Sequence, residues 1–146
     1  MRVERAPALI VAEPRGRYFT RAPLVVDCSV LAAVLFDEPN RDVAVKVLTG
    51  KDLFAPDVLA DELVSVAVKK ARHGLDDVAQ QALLDFAQLE VTRCRCDVHA
   101  QWRLALEHDL SAYDAAYLWL AAELGAPLAT FDERLGGAAR ALLEGG

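Results

Sequence analysis

The run Leu24-Val25-Val26-Asp27-Cys28-Ser29-Val30 begins apolar and β-branched and meets a carboxylate at its fourth position. A strand covered on both faces appears as such a continuous apolar run, and strands of that kind belong to parallel sheets with helices packed on each side. Asp27 then stands where the strand ends. In open α/β folds ligands bind in the crevice beyond the carboxyl ends of the strands, which makes Asp27 a functional candidate.

Working outward from this run, strands alternate with helices. Upstream, residues 1–23 hold Pro7, Pro14, Gly16 and Pro23 and no long periodic pattern. They read as an N-terminal extension to a domain of residues 24–146, and within them residues 8–12 are apolar enough for an edge strand with no assigned partner. Downstream, Ser29 is placed to cap a short helix stopping near Pro39, and Asp42 starts a second helix that Gly50 ends. Asp52 to Pro56 reads as a second strand. Pro56 or Asp57 opens a longer helix with Leu59, Leu63, Val66 and Ala67 at helical spacing and a basic last turn before Gly74. Residues 76–89 give another amphipathic helix, residues 91–94 a third strand and residues 98–108 a further helix. Residues 111–125 form a helix apolar on nearly every side, which belongs in the core. Residues 127–131 make a fourth strand that runs into Asp132, and Leu135, Ala138, Ala139, Leu142 and Leu143 line a last helix. The expected fold class is α/β: three layers, α/β/α, with a short, mainly parallel central sheet flanked by helices.

The 146 residues, 54% of them hydrophobic, fit one domain with one core, able to bury about 68–70% of the surface of its unfolded chain. Cys28, Cys94 and Cys96 are odd in number and lack the spacing of a disulfide framework, so they read as free thiols in a cytoplasmic setting. No apolar stretch approaches the about 20 residues of a membrane span, and no signal peptide is indicated. A net charge of −6 opposes a nucleic-acid partner at first sight. Residues 1–23 nevertheless carry +3, leaving −9 on residues 24–146, and bound divalent cations would neutralise part of that excess where a phosphate approaches.

Asp27, Glu62, Asp114 and Asp132 each abut apolar sequence at an element boundary. Asp27 and Asp132 repeat one device, a buried-type strand ending on a carboxylate, and parallel strands bring both to one sheet edge. Glu62 lies near the start of a helix that follows a strand, so it faces the same edge. Asp114 lies in the first turn of the most buried helix. Carboxylates gathered without basic partners raise one another's pKa and oppose folding, which calls for a cation. Oxygen donors suit Mg²⁺ or Mn²⁺, whereas Zn²⁺ prefers a His/Cys set. Each position also has a plain structural reading: Ser111-x-x-Asp114 matches a capping box, Asp132 an N-cap, Asp27 a turn residue, and Glu62 a solvated helix carboxylate.

Val25-Val26-Asp27-Cys28-Ser29, Pro56-x5-Glu62, Tyr113-Asp114-Ala115 and Thr130-Phe131-Asp132 stand in the order and spacing of PIN-domain ribonucleases. Over residues 24 to about 143 the chain most resembles the VapC toxins of bacterial toxin–antitoxin pairs. The resemblance implies an acidic metal site of Asp27, Glu62, Asp114 and Asp132, supported by the hydroxyls of Ser29 and Thr130. It further implies an Mg²⁺- or Mn²⁺-dependent endoribonuclease acting on single-stranded or looped RNA, tRNA among the candidates. A cognate antitoxin whose C-terminal segment enters the active-site groove, and a homodimer, are also implied. The chain departs from the family pattern in the segment before residue 24 and in ending at Glu144-Gly145-Gly146 without the terminal strand of many members.

Two other functions compete. A PIN-like module that binds RNA or protein without cutting has no use for a costly acidic cluster. A phosphoacceptor receiver domain shares the doubly wound topology but needs a lysine where Thr130-Phe131-Asp132-Glu133 stands. Cys94-x-Cys96-x-x-His99 offers three metal ligands without a fourth. Lys69, Lys70, Arg72, Arg93, Arg95 and Arg103 are candidates for phosphate contacts; Tyr117 and Trp119 read as core, with Trp102 undecided.

Overall fold

The computed structural model describes residues 7–14 and 22–145; the rest of the N-terminal extension lies outside the described residues. Among these described residues five strands form one sheet: β1 (Ile10–Ala12), β2 (Pro23–Val26), β3 (Asp52–Pro56), β4 (Val91–Cys94) and β5 (Leu128–Thr130). Their order is β1-β5-β2-β3-β4, with β1 antiparallel to β5 and every other pairing parallel. The opening apolar run is thus the central strand. Leu24, Val25 and Val26 are at most 1% exposed, and side chains of that kind contribute about 1.5–3 kcal/mol each when fully buried.

Among the described residues seven α-helices complete the three-layer α/β/α arrangement: α1 (Cys28–Leu35), α2 (Arg41–Leu48), α3 (Val58–Arg72), α4 (Asp76–Gln88), α5 (Val98–His108), α6 (Ala112–Leu124) and α7 (Glu133–Ala139). Helix α6 lies on β2, β3 and β5. It buries Ala115 to Leu118, Leu120 and Ala121, as its nearly unbroken apolar surface requires. Ser111 caps its start by accepting from the Asp114 N–H, and Gly125 ends it at φ 60°, a left-handed conformation suited to glycine.

Four local expectations change. The N-terminal edge strand has a partner: Ile10, Val11 and Ala12 pair with Thr130, Ala129 and Leu128. Helix α1 begins at Cys28, so Ser29 lies inside the first turn instead of capping it, and its hydroxyl is used elsewhere. Helix α2 starts at Arg41, one residue before Asp42. The last helix turns π-helical over Arg140–Glu144, which still buries Leu143. Among the described residues no helix is long and apolar enough to cross a membrane.

Candidate active site

Asp27 follows the last residue of β2, and its backbone extends the parallel ladder by donating to the Ala129 carbonyl at 3.0 Å. The side chain is 4% exposed. Its Oδ2 accepts two hydroxyl hydrogen bonds at 2.7 Å, from Ser29 and from the fully buried Thr130. Each hydroxyl also accepts a backbone N–H from the turn after β5: Ser29 from Phe131 at 3.0 Å, Thr130 from Asp132 at 2.9 Å. Two short side chains therefore tie the end of β2 to the end of β5 and fix Asp27 relative to Asp132. Burial pushes the Asp27 carboxyl above its usual range, the two hydroxyls pull it back, and the charge of Asp132 pushes it up again.

The other carboxylates act on the same space. Glu62, in the second turn of α3, is half-buried and accepts from the Tyr117 hydroxyl of α6 at 2.8 Å. Burial pushes it up to about 7, against the tyrosine's pull, and the charges of Asp27 and Asp114 add to the rise. Asp114, in the first turn of α6, is pushed up to about 6, first by burial and then by Asp27 and Asp132. The exposed Asp132 caps α7 by accepting from the Leu135 N–H at 2.9 Å. Capping and clustering thus coexist: Ser111 and Asp132 both serve as caps, yet the charge of Asp132 still presses on Asp114.

No Lys or Arg among the described residues pairs with any of the four; the ion pairs are Arg41–Asp37, Lys70–Glu38, Arg103–Glu107 and Arg134–Asp109. Nor, among the described residues, do three His, Cys, Asp or Glu side chains converge as a set placed to hold a metal ion. The donor chemistry still fits Mg²⁺ or Mn²⁺: all four are hard oxygen donors, and three are held above their ordinary pKa, first by burial and then by neighbouring carboxylates, which a bound cation would offset. Mg²⁺ keeps several waters and binds through one or two carboxylates, so a closed set of three protein ligands is not required.

Beside Glu62 opens a groove of about 470 Å³, lined by Cys28, Val58, Glu62, Ser65, Lys69 and Tyr113 among others. Val58 and Ser65 of this lining had no role in the sequence reading. Tyr117, taken there for core alone, is completely buried and is also the hydrogen-bond partner of Glu62. A tyrosine buried in a helix that is apolar on nearly every side must direct its hydroxyl at an acceptor, and that was the available signal. The Cys94/Cys96/His99 set gathers no metal site: the Cys96 thiol faces the Ala116 carbonyl at 3.9 Å and His99 lies against Trp102.

Residues 24–141 match the PIN domain family. Ribonuclease VapC3 of Pyrobaculum aerophilum is 34% identical, covering 77% of this chain and 91% of that protein. The crystal structure of PAE2754 from Pyrobaculum aerophilum shares the fold, with a TM-score of 0.58 over 80% of this chain and 86% of that one at 22% identity. A family match across most of the chain, a relative of near-equal length and a shared sheet-and-helix architecture agree, and the chain belongs to the PIN-domain family.

Proposed function

We propose that this PIN-domain chain is a metal-dependent endoribonuclease and the toxin of a toxin–antitoxin pair. The observation that carries the reading is electrostatic. Burial, and then the charges of neighbouring carboxylates, raise the pKa of Asp27 at the end of β2, Glu62 on α3 and Asp114 on α6, and among the described residues no cationic side chain pairs with them. The name of its relative, Ribonuclease VapC3, supports the same chemistry.

In this reading Asp27, Glu62, Asp114 and Asp132 hold Mg²⁺ or Mn²⁺, directly or through water. The bound ion supplies a water of lowered pKa and offsets charge on the phosphate and the leaving oxygen. The chain's residues do the rest. Ser29 and Thr130 hold the Asp27 carboxylate in one orientation, and Tyr117 holds Glu62. Glu62 is held up at about 7 in the metal-free chain, so it would give up its proton as it takes up the ion. The partners that go with the reading are single-stranded or looped RNA, tRNA included, a cognate antitoxin and a second copy of the chain, in the cytoplasm.

One observation favours a module that binds without cutting: among the described residues no three ligands stand converged. One assay separates the two. Purified chain is incubated with tRNA and structured RNAs in Mn²⁺ and in EDTA. Cleavage with Mn²⁺ that EDTA abolishes supports the nuclease; cleavage that persists in EDTA contradicts the mechanism, and RNA retained without cleavage in Mn²⁺ favours the binding module.

A further inference from the structure

The groove beside Glu62 holds two side chains that the metal chemistry leaves unused. Tyr113 precedes Asp114 in the first turn of α6, and Lys69 lies seven residues beyond Glu62 on α3. Tyr113 is 59% exposed, whereas the four residues after Asp114 on the same helix are at most 2% exposed. Among the described residues the Tyr113 ring has no aromatic or cationic neighbour and its hydroxyl no hydrogen bond. Lys69 has no carboxylate partner there either, while the adjacent Lys70 leaves the groove to pair with Glu38 at 3.7 Å. Of the six basic residues singled out along the sequence, Lys69 is the one that lines this groove.

Together these make a short track leading away from the acidic cluster. An aromatic face stands at the near end beside Asp114, a free ammonium stands farther out, and Val58 and Val66 form an apolar wall between α3 and the opening. Seven helical residues advance about 10.5 Å, about three nucleotide rises of a stacked strand. We propose that Tyr113 and Lys69 position a single-stranded RNA for cleavage, Tyr113 by stacking an unpaired base next to the scissile phosphate and Lys69 by contacting a backbone phosphate beyond it. This rests on the ribonuclease reading and names the side chains that would make it select single strands: a base face must be free to stack, which a continuous duplex does not offer.

Both side chains are exposed, so their removal leaves the fold intact and the test reads recognition. Cleavage of a labelled single-stranded oligoribonucleotide, and of the same strand in a duplex, is followed over a range of salt for four chains: wild type, Tyr113→Phe, Tyr113→Ala and Lys69→Gln. Tyr113→Ala is expected to raise KM about 5- to 150-fold, the range of one base–aromatic stack, with kcat retained. Tyr113→Phe keeps the ring and stays near wild type. Lys69→Gln flattens the dependence of log kcat/KM on log salt by about 0.7, one released phosphate contact on a single strand. An unchanged KM in Tyr113→Ala, equal damage in Tyr113→Phe, or equal cleavage of the duplex overturns the proposal. Should the wild type cut no RNA, the ribonuclease reading fails by itself. Anisotropy binding of the same oligonucleotide then decides the track: weakening by Tyr113→Ala over that range upholds it, and binding that ignores the substitution overturns it.

Discussion

Asp27 is held by hydroxyls that accept as well as donate, and that double use sets what each substitution does. Asp27→Asn keeps an acceptor for Ser29 and Thr130 and deletes a charge pressing on Glu62 and Asp114. The metal-free variant should therefore match or exceed wild-type stability while losing cleavage. Asp27→Ala instead leaves two hydroxyl donors without an acceptor, at about 1–3 kcal/mol each. Comparing the two by urea denaturation separates charge from hydrogen bonding; a destabilised Asp27→Asn would point to a structural role. Tyr117→Phe removes the hydrogen bond that lowers the Glu62 pKa, so that pKa rises further. The rising limb of the cleavage pH profile should move to higher pH, and an unmoved profile would detach Tyr117 from the chemistry.

The acidic positions could be read from the sequence because each carboxylate interrupts an apolar pattern: Asp27 ends a buried strand, and Asp114 opens a buried helix. What local pattern does not contain is who holds them. Ser29 and Thr130 reach Asp27 from sites 101 residues apart, and the resemblance to a family, more than any spacing, singled them out. Tyr117 was hidden for the opposite reason, since its helix explains its burial without a second task.

At the scale of elements, β1 is seated by a glycine. A Cβ at Gly136 of α7 would collide with the Ile10 side chain, so α7 and β1 approach closely because that position has none. Gly136→Ala should cost about 1–3 kcal/mol by overpacking and speed amide exchange at Ile10–Ala12. Adding Ile10→Ala should restore much of the loss, because the two positions are coupled by contact. Protection of β1 unchanged in Gly136→Ala would show that the strand does not rest on α7. The apolar residues 8–12 announced a strand, but its partner was out of reach, because β5 lies more than a hundred residues away and antiparallel pairing leaves no local mark. Helix α6 was plain from sequence for the converse reason: its cap, its apolar surface and its glycine stop are all local.

Across the whole molecule, the parallel strands β2 and β5 deliver Asp27 and Asp132 to one edge, where α3 and α6 add Glu62 and Asp114. The consequence is a pH dependence with a definite sign. Glu62 and Asp114 are pushed up to about 7 and about 6 in the folded chain, above the ordinary 4.5 and 3.8 of the two carboxyl types. Between those limits the metal-free native chain holds protons that the unfolded chain has released. Stability from these groups is full below the unfolded values and is lost as pH rises through about 6 and about 7. Denaturation midpoints in EDTA should fall from about pH 5 to about pH 8, and Mn²⁺, which binds the deprotonated carboxylates, should reverse much of the fall. A midpoint in EDTA that climbs over this interval would contradict the assigned directions.

The central claim is that four carboxylates from four parts of the chain stand together to hold a cation, and Mn²⁺ titration of thermal stability tests it most directly. For the wild type, stability should rise with Mn²⁺ by about 2.7 kcal/mol once the ion reaches 100 times its dissociation constant. For Asp27→Asn it should barely move. No rise in the wild type, or the same rise in both chains, would contradict the account.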